Sequence, residues 1–324
     1  MQISFVEPLS RAWERMRRML FAPFELARWL VLGFSAWLAG LASGDLGAKL
    51  AGNASDRVDN REILPPGLDR LMELITNHPV WTVLAVLGVL VAVAILVALL
   101  WVSSRGKLVF LDNVVHERAA IVEPWRRLGR LGDSLFWWRL GFAVIVLALV
   151  LVVLAAVILP AAAATLLDTL RGLSIAGVLF GALALALIVL AALLVLTLLE
   201  GFVIPVMYRF DLSATAAWRT LLPWLKRFPG WFIAYAIVIF LAAITFQVMV
   251  LILCLFTCCI VLIPYVGTVI LLPVWVLYRA YSVEFLAQFH PDFDLFEAAA
   301  LAVVPPPTEP GQASRALDSG GEVG

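Results

Sequence analysis

"VWTVLAVLGVLVAVAILVALLWV", Val80 to Val102, is 23 residues without a charged group. A helix needs roughly 20 apolar residues to cross the hydrocarbon core of a bilayer, so this stretch reads as a span. Comparable segments lie at about 24–43, 138–159, 174–199, 231–253 and 260–279, which makes six. The last two share a charge-free run of 51 residues from Phe228 to Tyr278. That is too long for one crossing, so a turn is expected within "CLFTCCIVLIPYVGT" (Cys254 to Thr268), where Pro264 and Gly267 supply breakers.

Composition agrees with this reading. The chain of 324 residues is 63% hydrophobic and 14% charged, with a mean hydropathy of +1.02. Soluble domains sit nearer half apolar and a quarter charged. The fold class expected is therefore all-α: a polytopic membrane bundle over residues 1–302, with internal repeats, and a tail at 303–324. That tail, rich in Pro, Gly and Ser, has the composition of a disordered segment. Formal net charge is zero, so no nucleic-acid partner is implied.

Orientation follows from where Lys and Arg fall. With the N-terminus inside, eighteen of the 23 cations face the cytoplasm and five (Lys49, Arg57, Arg61, Arg70 and Arg171) face outward. Both termini are then cytoplasmic, and a polar extracytoplasmic loop occupies about 44–79. The Ala, Leu and Val excess and the use of twenty Arg against three Lys fit GC-rich coding, hence a bacterial inner membrane. The small residues Ala42-Ser43-Gly44 resemble a signal-peptide end, but the long basic amphipathic lead before the first apolar segment favours its retention.

Two stretches repeat one approach to the membrane: "VEPLSRAWERMRRML" (Val6 to Leu20) and "VEPWRRLGRLGDSLFWWRLGF" (Val122 to Phe142). Each puts Val-Glu-Pro before an Arg-bearing amphipathic helix, and Pro8 and Pro124 suit a helix start. In the first, Phe5, Leu9, Ala12, Trp13, Met16 and Leu20 form an apolar stripe and Arg11, Arg15 and Arg18 another face. In the second, Ile121, Trp125, Leu128, Leu135 and Phe136 oppose Arg126, Arg127 and Arg130. A weaker third copy, Asp211 to Phe232, carries Ser213 as N-cap, Trp218, Arg219, Lys226 and Arg227, with Pro223 expected to interrupt its helix. Helices of this kind lie in the headgroup plane with apolar groups in lipid and Arg upward, which predicts anionic lipid as partner. The chain thus reads as three units of interfacial elbow, span, span.

Residues that carry chemistry are sparse. His78, His116 and His290 lie in different loops without ligand spacing. Cys254, Cys258 and Cys259 have no acidic or His neighbour, and read as small buried hydrophobes. No metal and no cofactor is expected. Glu25 and Arg28 are placed to pair at the start of span one, while Glu200, Arg279 and Glu284 sit at inner span ends where they can snorkel. Gln247 is the strong polar group deep in a span, expected to bond to a neighbouring helix. Gly177 and Gly181 form a close-packing signature in span four, and Pro273 should kink span six.

"VIPVMYRFDLSATAAWR" (Val203 to Arg219) and "CCIVLIPYVGTVILLPVWVLYRAYSVEFLAQF" (Cys258 to Phe289) resemble uncharacterised bacterial multi-pass proteins similar to the membrane domain of some glycerophosphoryl diester phosphodiesterases. The resemblance covers the last 120 residues or so and brings no catalytic residues with it. The soluble hydrolase that can follow such a domain is absent from this sequence.

Three function classes follow. The first is a non-enzymatic membrane protein that organises or senses anionic lipid or docks a membrane protein partner. The second is a transporter or flippase-like protein with a cavity between repeats, for which Gln247, Glu200 and Pro273 are the first suspects. An intramembrane enzyme is disfavoured, since no acid pair, His cluster or Ser/His/Asp set is present.

Overall fold

The computed structural model describes residues 3–22, 24–41, 79–166, 171–256 and 264–303, and among these it is helical with no β-strand. The tail from 304, most of the 44–79 loop, and the turn with Cys258 and Cys259 lie outside the described residues. In chain order the helices are α1 (Val6–Phe21), α2 (Leu26–Gly40), α3 (Pro79–Val115), α4 (Val122–Arg127), α5 (Gly129–Leu166) and α6 (Arg171–Leu198). A π-helical turn (Leu199–Val203) joins α6 to α7 (Ile204–Phe210); then come α8 (Ala214–Arg227), α9 (Pro229–Phe256), α10 (Pro264–Ile270), α11 (Leu272–Ala287) and α12 (Leu295–Val303).

Four helical stretches are long and apolar enough to cross a membrane: Thr82–Val115, Gly129–Ile158, Ala176–Phe210 and Pro229–Leu253. Each has a bare part and a packed part. On α3 most side chains from Val80 to Trp101 are exposed, and from Ser103 onward the helix is largely buried. The bare part, at 1.5 Å per residue, measures roughly 33 Å, close to the hydrocarbon thickness of a bilayer. Helices α5 and α9 change in the opposite order, near Gly141 and Tyr235, and α6 changes in the same order as α3, near Leu193. The packed parts together form one layer, called here the basal layer, with its own core of Leu108, Leu111, Phe202, Met207, Tyr235 and Phe285. Aromatic contacts knit it: Phe202 to Tyr235 at 4.5 Å and Phe232 to Phe289 at 4.9 Å between ring centroids.

The first and sixth apolar segments depart from the expectation of six spans. Helix α2 has 15 residues, too few to cross. It runs antiparallel to the basal half of α3, because Arg28 at its start donates to the Glu117 carbonyl and Ala39 at its end accepts from Ser103 Oγ at 2.8 Å. The sixth segment breaks at Leu271, just ahead of Pro273, so the expected kink becomes a separation of α10 from α11. Helix α10 packs on α2: Tyr265 donates to the Leu30 carbonyl at 3.0 Å, and Val269 lies against Gly33.

The amphipathic stretches also sit differently from expectation. Ala12, Met16 and Leu20 of α1 are buried in the basal layer against α11, not turned to lipid. Leu128, Leu135 and Phe136 are buried likewise, while Leu9 and Trp13 remain exposed. The reason is that an apolar stripe is satisfied by any apolar surface, and the basal ends of the long helices offer one nearby. Local starts of the two Val-Glu-Pro copies agree, with Pro8 and Pro124 each third in its helix and Glu7 and Glu123 in the first turn. Beyond that they diverge: α1 ends before a separate α2, whereas α4 is followed after Leu128 by the 38-residue α5. In the third copy Ser213 caps α8 by accepting from the Ala216 amide, as expected. Pro223 lies inside α8 and does not end it.

Candidate functional site

Residues spread over 172 positions of sequence, from Lys107 to Arg279, meet where the bare helices enter the basal layer. Lys107 comes from α3, Arg139 from α5, Glu200 from the π-helical turn and Arg279 from α11. Helix α3 continues unbroken past the membrane-length part, so Lys107 is carried about four and a half turns below the middle of its bare stretch. The π turn re-aims Glu200; such single-turn insertions recur at functional positions.

Lys107 and Glu200 form an ion pair. Arg279 is held by main chain: Nη1 donates to the Glu200 carbonyl at 2.6 Å and Nη2 to the Lys107 carbonyl at 3.3 Å. Arg139 donates to Ser104 Oγ at 3.1 Å and Ser103 Oγ at 3.4 Å. Lys107, Arg139 and Arg279 are all buried, so three cations surround one carboxylate. A cavity of about 40 Å³ opens beside them, lined by Lys107, Glu200, Tyr278 and Arg279 and by Ala36, Ala39, Gly40, Phe110 and Trp275. Space for it exists because α2 presents small residues here, and because α2 crosses α3 closely. At Gly106 an added Cβ would come within 2.7 Å of the Leu38 carbonyl carbon.

A second group centres on Asp112, which is fully buried. It pairs with Arg127 and with Arg118 at 3.0 Å, and accepts from the Tyr208 hydroxyl at 2.6 Å. His116 Nδ1 lies 3.4 Å from the same carboxylate. Burial pulls the Arg118 guanidinium down, but hydrogen bonds and charge from Asp112 and Glu123 reverse this and hold it above its ordinary value. A third pairing ties α1 to α11: Arg15 Nε donates to Glu284 at 2.8 Å, with Arg11 3.8 Å away. Arg15 also stacks over the Phe296 ring at 3.8 Å.

These pairings redistribute the residues expected at the lipid surface. Arg11, Arg15, Arg127 and Arg130 are engaged by carboxylates of the protein, Arg130 by exposed Asp211. Trp125 is half-buried in edge contact with Trp101, and Trp218 is stacked on Trp138. Arg17, Arg18, Arg126, Arg219, Lys226 and Arg227 are exposed and have no ion-pair partner among the described residues. Arg28 reaches the Glu117 carbonyl, not Glu25. Arg279 and Glu284 are buried and paired within the protein, not snorkelling.

Of the residues suspected in transport, Glu200 lies in the cluster, Pro273 is two residues from Trp275 of its wall, and Gln247 is far away. Gln247 is exposed on α9 and its side chain has no hydrogen bond among the described residues. Gly181 packs directly on Val157 of α5, whereas Gly177 meets nothing. Lys107 and Arg139 were not singled out from sequence; their signal is a cation directly abutting a membrane-length apolar stretch, read there only as topology.

No curated protein and no solved structure matches the chain. The model of a family of unknown function (DUF7544) matches residues 3–289, an extent that takes in Lys107, Arg139, Glu200 and Arg279, and the chain belongs to that family.

Proposed function

We propose that this is a non-enzymatic multi-pass protein of a bacterial inner membrane, with its basal layer at the cytoplasmic face, that gathers anionic lipid around itself. The observation that carries the reading is the ring of exposed cations left after internal pairing: Arg17 and Arg18 on α1, Arg126 on α4, and Arg219, Lys226 and Arg227 on α8. All belong to the basal layer into which the bare apolar helices run, which puts them at headgroup level once those helices are in hydrocarbon. Each cation near an anionic surface contributes about 1 kcal/mol, so six supply several kcal/mol, reduced by salt. Exposed Trp13 and Trp137 flank the ring, where indole is favoured. The three elbow-bearing units are the means by which one chain repeats this surface.

The test is a combined Arg126→Gln, Arg219→Gln, Lys226→Gln and Arg227→Gln variant, purified from membranes at low salt beside the wild type. The reading expects a lower fraction of phosphatidylglycerol and cardiolipin in the co-purified lipid. An unchanged lipid profile would leave the cations with a topological role alone.

A further inference from the structure

We propose that lipid acyl chains cover the apolar strip that α2 and α10 present on one side of the basal layer. Hydrocarbon then follows α2 for about its full length, roughly 22 Å past the bare part of α3. This goes beyond the ring of cations: it concerns another face of the layer, and acyl chains in place of headgroups.

The strip begins with what its helices lack. From Trp29 to Gly40, and again from Pro264 to Tyr278, the sequence holds no charged residue. Arg28 spends its guanidinium on the Glu117 carbonyl at the basal end of α3. One face of the pair nonetheless stays outside the core. Phe21 and Phe24 at the α1–α2 corner, Leu26 and Leu30 on α2, and Val266 and Ile270 on α10 are all exposed. Rings join them into one surface: Trp29 lies 5.5 Å from both Phe21 and Phe24, and Tyr265 reaches from α10 to within 6.3 Å of Phe34 and 6.4 Å of Trp37. A contiguous exposed apolar patch marks a surface for membrane or for protein.

Two observations choose the membrane. The first is continuity. Helix α2 ends where the bare part of α3 begins, since the Ala39 carbonyl accepts from Ser103 Oγ and the exposed membrane-length run reaches Trp101. The strip thus extends a surface already suited to hydrocarbon, and a helix satisfies its own backbone polar groups there. The second is extent. Six side chains fall well short of the roughly 20–30 residues that each partner brings to a stable protein interface. The groove beside α2 is already filled by α10, with Val269 against Gly33.

The other side of the layer differs. Helix α2 packs on α3, α10 and α11, whereas α8 packs on α5, α7, the π turn and α9 and exposes Arg219, Lys226 and Arg227. One layer therefore meets acyl chains along α2 and headgroups along α8. Bare α3 with α2 beneath it is taller than the hydrocarbon of a flat bilayer, and such a surface is met by local thickening or by tilt. Either draws the leaflet toward the basal end on the α2 side.

The experiment reconstitutes the full chain in phosphatidylcholine vesicles, in a background free of native cysteines. Leu30→Cys and Ile270→Cys carry a bimane fluorophore on the strip, Val91→Cys carries it on the bare part of α3, and Arg219→Cys on the cationic side. All four positions are exposed, so the label displaces no core side chain. Brominated acyl chains quench a probe in hydrocarbon, and iodide on both sides of the vesicle quenches one in water. The two strip probes should lose as much emission to brominated lipid as the Val91 probe and keep it in iodide, while the Arg219 probe does the reverse. Iodide quenching at Leu30 and Ile270, or protection from both quenchers as a second copy or a partner protein would give, overturns the proposal while the Val91 result stands. A Val91 probe quenched by iodide alone removes the bare helices from the membrane, and this inference with them.

Discussion

Alanine at Gly106 tests the helix crossing on which the cluster depends. An added Cβ would sit 2.7 Å from the Leu38 carbonyl carbon, 2.8 Å from the Ala39 nitrogen and 2.9 Å from the Leu38 Cβ. Two of these are backbone atoms, so no side chain can swing away and α2 must move off α3. Overpacking of this kind costs about 1–3 kcal/mol. Separation of the helices also loosens the Ser103-to-Ala39 hydrogen bond at 2.8 Å, worth about 1 kcal/mol. Against this, alanine is favoured over glycine in a helix interior by about 1 kcal/mol. The net expectation is a loss of about 2 kcal/mol, or a fall of about 3 °C in thermal midpoint on the scale of soluble proteins of similar size. The matched control is Gly88→Ala on the bare part of the same helix, where a Cβ meets nothing within 4 Å. Midpoints of the purified variants in detergent decide the matter: Gly106→Ala as stable as Gly88→Ala would refute the crossing.

Further expectations follow from the charged groups and a cap. Glu200→Gln leaves Lys107 buried without its ion-pair partner, whereas Lys107→Met removes that cation and leaves Glu200 near Arg279, so the first should cost about 2–3 kcal/mol and the second less, in reversible unfolding of the purified protein; the opposite ranking would contradict the pairing of Glu200 with Lys107. Arg15→Gln leaves Glu284, 4% exposed, with Arg11 alone at 3.8 Å. Limited proteolysis should then cut α1 faster than in the wild type, and equal rates would show that the pair does not hold α1 down. Ser213→Ala removes the accepting oxygen at the start of α8 and should cost about 1 kcal/mol in the same unfolding measurement, with no loss expected if the cap were idle.

The helical class and the central membrane-length segments were legible because an uninterrupted apolar run is a strong local signal, as in Val80–Val102. The ends of those runs were less so. Nothing in "SSRGKLVFLDNVV" (Ser103 to Val115) announces that α3 continues unbroken into a protein core, since the partners that bury it come from α2, α5, α7 and α11. The amphipathic period of α1 is plain in its sequence, but period alone does not say whether the stripe meets lipid or protein. Similarly, the Arg residues on its polar face were visible and their carboxylate partners, Glu284 above all, were 269 positions away for Arg15. The cluster of Lys107, Arg139, Glu200 and Arg279 was hidden for the same reason: each is a lone charge at a segment end, and only tertiary packing brings them together. Ser213 was legible as a cap because its partner is three residues on.

The side of the membrane that the basal layer faces decides whether its exposed cations can meet inner-leaflet lipid. In a background free of native cysteines, Arg126→Cys places a thiol on the exposed face of that layer, and Asp168→Cys places one in the stretch of sequence that connects α5 to α6. An impermeant thiol reagent applied to intact cells should label Asp168→Cys, while Arg126→Cys should react only after the membrane is opened. Labelling of Arg126→Cys in intact cells, or of both positions from the same side, would contradict a basal layer at the cytoplasmic face.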